Sequence, residues 1–147
     1  MIDHVKKGKK SRRLGKEFEV EVRKDLEKQG WIVSKWSNQI KDGKIVPAKG
    51  QYNPFFKRIV GEGSGFPDFI CFRKSQFPIS AEIYHELLQD SNGEMPFYEV
   101  IGVESKMKGK LDKIEKEKCA VYFMNKTFSK ILIASKCAEG VKYEEFK

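Results

Sequence analysis

Two acids stand inside the most apolar stretches of this chain. Residues 64–73 read SGFPDFICFR and residues 100–106 read VIGVESK. A charge in apolar surroundings costs free energy unless it is paired, hydrogen-bonded or bound to metal. Side chains alternate along a strand. Phe66, Asp68, Ile70 and Phe72 therefore share one side of the first stretch, and Val100, Gly102, Glu104 and Lys106 share one side of the second. Neighbouring strands would bring two carboxylates and an ammonium into one place. Glu99 is the competing acid, but it lies on the opposite face from Glu104 and has no lysine two residues on.

The surrounding pattern reads as a mixed α/β domain. Ser11 to Gln29 forms a helix on which Leu14, Phe18, Val22 and Leu26 fall on one arc, with Ser11 as N-cap and Gly30 just past the end. Glu19 borders that arc, and on the helical wheel alone it is an ordinary surface acid. WIVSKW reads as a strand, with Trp31 and Trp36 as core or loop anchors. Residues 37–65 read as mostly loop, with a short strand near FFKRIV. FPDFICFR is a strand, and residues 74–96 are an excursion with a helix near Ser80–Gln89. FYEVIGVESKM is a strand, Leu111–Met124 a helix and SKILIAS a strand, and the tail CAEGVKYEEFK adds a short element. This order predicts a central mixed sheet flanked by helices.

Charge narrows the partners. The 147 residues, read as one domain, carry a net charge of +8, unevenly spread. Residues 1–50 hold 14 Lys/Arg against 7 Asp/Glu, residues 51–100 hold 4 against 7, and residues 101–147 hold 11 against 7. Basic flanks around an acidic middle suit a polyanion held over a cation-binding centre. Residues 1–10 read as a flexible basic arm. Lys9, Lys10, Arg12, Arg13 and Lys16 at this end, with Lys108, Lys110 and Lys113 after the Glu104 strand, are the candidate phosphate contacts. Cys71, Cys119 and Cys137 cannot all pair, which points to a reducing, cytoplasmic setting, with Cys71 and Cys119 as core fillers. No apolar run approaches the roughly 20 residues of a membrane span. His4 and His85 have no partner at metal-ligand spacing.

Hard divalent cations take oxygen ligands, and Mg²⁺ is held by one or two carboxylates with water and phosphate. Asp68 and Glu104 supply such a pair. Lys106 could hold a phosphate or position a water beside them. Pro67–Asp68 followed by Glu104-Ser105-Lys106 resembles the PD-(D/E)XK nuclease signature. The stretch RLGKEFEVEVRKDLEKQGWIVSK is similar to the opening of archaeal Holliday-junction resolvases, with Gly15, Glu19 and Gly30 in register and Ser37 one position off. The resemblance covers residues 12–36, 63–73 and 97–135. It implies a restriction-endonuclease-like αβββαβ core and a metal-dependent endodeoxyribonuclease acting in DNA recombination or repair. It makes Glu19, Asp68, Glu104 and Lys106 catalytic. It places Mg²⁺, with Mn²⁺ as a substitute, on Asp68, Glu104, the Ser105 carbonyl and Glu19. Two symmetric cuts at a junction imply a homodimer. The chain departs from resolvases in its long 37–62 loop and in residues 74–96, inserted where those proteins have a tight turn. A restriction-type or general repair nuclease stays open, as does a non-catalytic nucleic-acid-binding protein.

Overall fold

The structure is a computed structural model and describes residues 2–60, 65–75 and 97–147. Helix α1 runs Ile2–Lys28. Lys, Arg and Glu dominate its outer face and are good helix formers. Phe18, Val22 and Leu26, four residues apart, form its buried stripe. The helix ends where Gly30 takes a φ of +83°, and Trp31 N–H donates back to the Leu26 carbonyl. It begins well before Ser11, which lies inside it and is not its cap. The stretch expected as a basic arm is thus helical from Ile2 onward, because its lysines favour helix and Gly8 alone interrupts their run.

Five strands form the central sheet in the order β1-β6-β7-β8-β9. They are β1 (Ile32–Lys35), β6 (Phe69–Lys74), β7 (Tyr98–Ser105), β8 (Lys130–Cys137) and β9 (Gly140–Glu145). β1, β6 and β7 are antiparallel neighbours, β7 and β8 run parallel, and β9 folds back antiparallel on β8. The parallel step needs a crossover, supplied by helix α2 (Lys113–Met124). The expected α/β class, with a mixed sheet and helices, is what forms.

Each face of the sheet has its own apolar layer. The α1 stripe packs against Val33, Phe69, Cys71, Ile101, Val103 and Ala134. On the other face Cys119 and Tyr122 of α2 pack with Phe66, Phe128, Ile131 and Ile133. Trp36 anchors this second layer, donating from its indole N–H to the Tyr122 hydroxyl at 3.0 Å and meeting Phe128 edge-on. Cys71 and Cys119 are buried thiols, as their apolar settings suggested. No helix of the described residues is long and apolar enough to cross a membrane.

Residues 37–60, expected mostly as loop, form two hairpins. β2 (Asn38–Lys41) pairs with β3 (Lys44–Pro47), and β4 (Gln51–Asn53) pairs with β5 (Arg58–Val60). The first turns through Asp42 and Gly43, whose φ values of 51° and 71° are what a two-residue hairpin turn requires. Asp-Gly between IK and KI was a legible hairpin signal. The expected helix near Ser80–Gln89 lies outside the described residues.

The first hairpin is rooted beside the Asp68 strand. Phe66 N–H donates to the Asn38 carbonyl, and Trp36 N–H donates to the Asp68 carbonyl. Gly65 threads between them. A Cβ there would stand 2.0 Å from the Trp36 carbonyl oxygen and 2.7 Å from that of Asn38. Because both obstacles are backbone, Gly65→Ala is expected to lower stability by about 1–3 kcal/mol in urea unfolding. Gly8→Ala, where the added methyl meets nothing within 4 Å, is expected to be neutral or stabilising by up to about 1 kcal/mol.

Candidate active site

Asp68 lies one residue before β6, and Glu104 is the penultimate residue of β7. The antiparallel register pairs Phe69 with Val103, so both acids fall at the same end of the sheet. They are fixed by crossed bonds. Asp68 N–H donates to Glu104 Oε2 at 3.0 Å, and Ser105 N–H donates to Asp68 Oδ2 at 2.9 Å. Lys106 follows the strand, its N–H held by the Ala134 carbonyl of β8. Its ammonium lies 3.2 Å from Glu104 Oε1. Asp68, Glu104 and Lys106 therefore come together as their spacing suggested.

A fourth group at this site, Glu115, was not singled out from the sequence. It sits in the first turn of α2 and pairs with the Lys106 ammonium. The same side chain closes a capping box. Glu115 N–H donates to Asp112 Oδ1 at 2.8 Å, and Asp112 N–H donates to Glu115 Oε2 at 2.9 Å. The run DKIE carries that capping signal, so the acid was findable as a cap. Its reach to Lys106 depends on how α2 docks, which spacing does not reveal.

Two carboxylates, Glu104 and Glu115, thus share the Lys106 ammonium, with Asp68 bonded to Glu104's strand beside them. Glu104 is only 5% exposed, and burial pushes its carboxyl up to about 8; the Asp68 charge adds to the shift and Lys106 opposes it. Burial also raises Asp68, helped by the charge of Glu19 and opposed by the Ser105 N–H and by Lys35. Burial alone would lower Lys106, but its bonds to Glu115 and Glu104 hold it above the ordinary lysine value. Glu99 behaves oppositely. Burial would raise it, but Lys130 at 2.8 Å and Arg73 at 3.3 Å outweigh that and leave its carboxyl below the ordinary value. It is a structural clamp across β6, β7 and β8.

Glu19 makes no hydrogen bond to the cluster, although its charge is felt at Asp68. It lies on α1, which packs on the face carrying Val103, whereas Glu104 alternates to the α2 face. Lys35 of β1 takes the Glu19 carboxylate as an ion pair. Among the described residues no group of three or more His, Cys, Asp or Glu side chains is placed to hold a metal ion. The oxygen donors that do converge are the Asp68 and Glu104 carboxylates. Ser105 Oγ is buried beside Asp68, out of ideal hydrogen-bond geometry but close enough to help lower its carboxyl. An all-oxygen carboxylate pair suits a hard cation that keeps several waters.

The basic candidates are exposed. Lys9, Lys10, Arg12, Arg13 and Lys16 lie along α1, where Arg13 pairs with Glu17 at 3.3 Å. Lys108 and Lys110 lie between β7 and α2, and Lys113 opens α2. Comparison with protein-family models, with curated proteins and with solved structures yields no match.

The raised Glu104 carboxyl has a consequence for stability in the absence of metal. Between its ordinary value of 4.5 and about 8, the folded protein keeps a proton that the unfolded chain releases. Stability is therefore fullest at the acid end of this range and falls as pH rises through about 8, by up to about 1.4 kcal/mol per pH unit. Urea midpoints measured in EDTA across the range are expected to fall with pH in the wild type and to stay nearly flat in Glu104→Gln.

Proposed function

We propose that this chain is a metal-dependent endodeoxyribonuclease of PD-(D/E)XK type, acting on branched DNA in the manner of the junction resolvases its sequence resembles. The observation that carries the reading is the crossed bonding of Asp68 and Glu104 at adjoining strand ends, with Lys106 on the second carboxylate. The order α1, β1, β6, β7, α2, β8 supports it, since a restriction-endonuclease-like core runs αβββαβ.

Asp68, Glu104 and the Ser105 carbonyl would hold Mg²⁺ or Mn²⁺. When bound, the cation lowers the pKa of a water and offsets charge on the phosphoryl group. Glu104 must give up its proton to ligate, so cation affinity rises with pH through about 8. Lys106 is held by Glu104 and Glu115 and is placed to orient a water or a phosphate oxygen. The α1 cations and Lys108, Lys110 and Lys113 would grip the flanking backbone. Cutting a junction symmetrically calls for a homodimer.

One observation favours a second reading, a non-catalytic nucleic-acid-binding protein. Lys106 is neutralised by two carboxylates, and Glu104 holds a proton near neutrality, so the cluster is self-contained without metal. Cleavage decides between them. Asp68→Asn, Glu104→Gln and Lys106→Ala are each expected to reduce Mg²⁺-dependent cleavage at least about 100-fold while DNA affinity changes only a few-fold. Undiminished cleavage by Asp68→Asn would refute the assignment. A four-way junction is expected to be cut faster than linear duplex of equal length, and equal rates would point to a restriction-type or general repair enzyme.

A further inference from the structure

The hairpin of β4 and β5 presents an apolar surface that the core does not use. Tyr52 and Ile59 face each other across it, and both are exposed. Phe55 at its tip is 93% exposed and Phe56 beside it is also exposed. One exposed ring would be ordinary, but four large apolar side chains exposed on one small hairpin mark an interaction surface. The tip is also held in shape. Asn53 Oδ1 accepts from Phe55 N–H at 2.9 Å and from Phe56 N–H at 3.3 Å.

The surroundings of the rings select the occupant. Lys57 and Arg58 follow them directly, and the Arg58 guanidinium lies 5.7 Å from the Phe56 ring centre. Across both hairpins, Lys41, Lys44, Lys49, Lys57 and Arg58 are all exposed, against the single acid Asp42. A second copy of the chain would bring this cationic surface against itself. A nucleic acid matches both halves, because phosphates meet the cations and the faces of unstacked bases meet the rings. The neighbouring hairpin, through the Asn38 carbonyl, is bonded to the N–H of Phe66, two residues before Asp68.

We infer that Phe55 and Phe56, with Lys57 and Arg58, form a stacking finger that engages unpaired bases. The inference rests on the nucleic-acid substrate proposed above and deepens it. Aromatic stacking is tolerant of sequence and available only where bases are unstacked. The finger would thus favour branched, gapped or single-stranded DNA over continuous duplex.

The test is binding in EDTA, where no cleavage occurs. Fluorescence anisotropy compares a labelled single strand and a three-way branched substrate with blunt duplex of equal length. The Phe55→Ala/Phe56→Ala double variant alters only exposed side chains, and circular dichroism checks that it remains folded. It is expected to lose roughly 10- to 100-fold in affinity for the single strand and the branch, and no more than a few-fold for duplex. A 2-aminopurine at the unpaired position is expected to change its fluorescence with wild type and not with the double variant. Lys57→Gln/Arg58→Gln is expected to weaken all three substrates and to reduce the salt dependence. Equal affinity of wild type and the double variant, or an equal loss on all substrates, overturns the inference. So does a change of oligomeric state in the double variant by light scattering, which would make the surface a contact between copies. A chain that binds unpaired bases through the finger yet never cuts refutes only the nuclease reading. A chain that cuts while the double variant binds normally refutes only the finger.

Discussion

Asp68 and Glu104 are built into the sheet through the backbone. Each carboxylate accepts an N–H from the strand that carries the other, extending the β6–β7 ladder through side chains where its main-chain pairing runs out. A hydrogen bond to a charged group contributes about 1.5–3 kcal/mol. That is not enough here. Both acids stay above their ordinary pKa because burial outweighs the two N–H donors and the nearby ammonium. The site is therefore held rigidly and left short of positive charge, a combination that favours a cation.

Two glutamates on the one strand show how position decides role. Glu99 and Glu104 stand at opposite ends of β7, and both are largely buried. Glu99 meets two cations of its own, Arg73 and Lys130, and is satisfied. Glu104 meets one ammonium, which Glu115 also claims, and has Asp68 beside it. The first arrangement locks three strands at one end of the sheet. The second concentrates negative charge at the other end, next to the loop that carries Lys108 and Lys110 and to the start of α2 at Lys113.

Period and punctuation made the frame readable. The buried stripe of α1, the strands around Asp68 and Glu104, and α2 all follow from apolar spacing and capping residues, and the alternation of β7 correctly set Glu104 against Glu99. Other features depend on packing between elements. The resemblance, not the helical wheel, made Glu19 a site acid; its charge is felt at Asp68, while its ion-pair partner, Lys35, comes from another strand. Glu115 was not singled out at all, because its reach to Lys106 exists only once α2 is docked. Ser11 looked like a cap because serine commonly is one, yet the basic residues before it continue the helix. The hairpins at 37–60 were obscured by their glycines, prolines and lysines, although Asp42-Gly43 marked a turn.

The placement of those hairpins also bears on how the chain assembles. Among the described residues β1 finds its sheet partner in β6 alone, and everything between Trp36 and Asp68 must be looped out for the two to meet. Closing a longer loop costs little extra, because the entropy grows only with the logarithm of length. Two-stranded hairpins form locally within microseconds. Once they form, the effective tether between β1 and β6 shortens, so an insertion that looks like an obstacle to folding is transparent to it. Elaborations can accumulate at this point of the fold without slowing the closure of the sheet beneath.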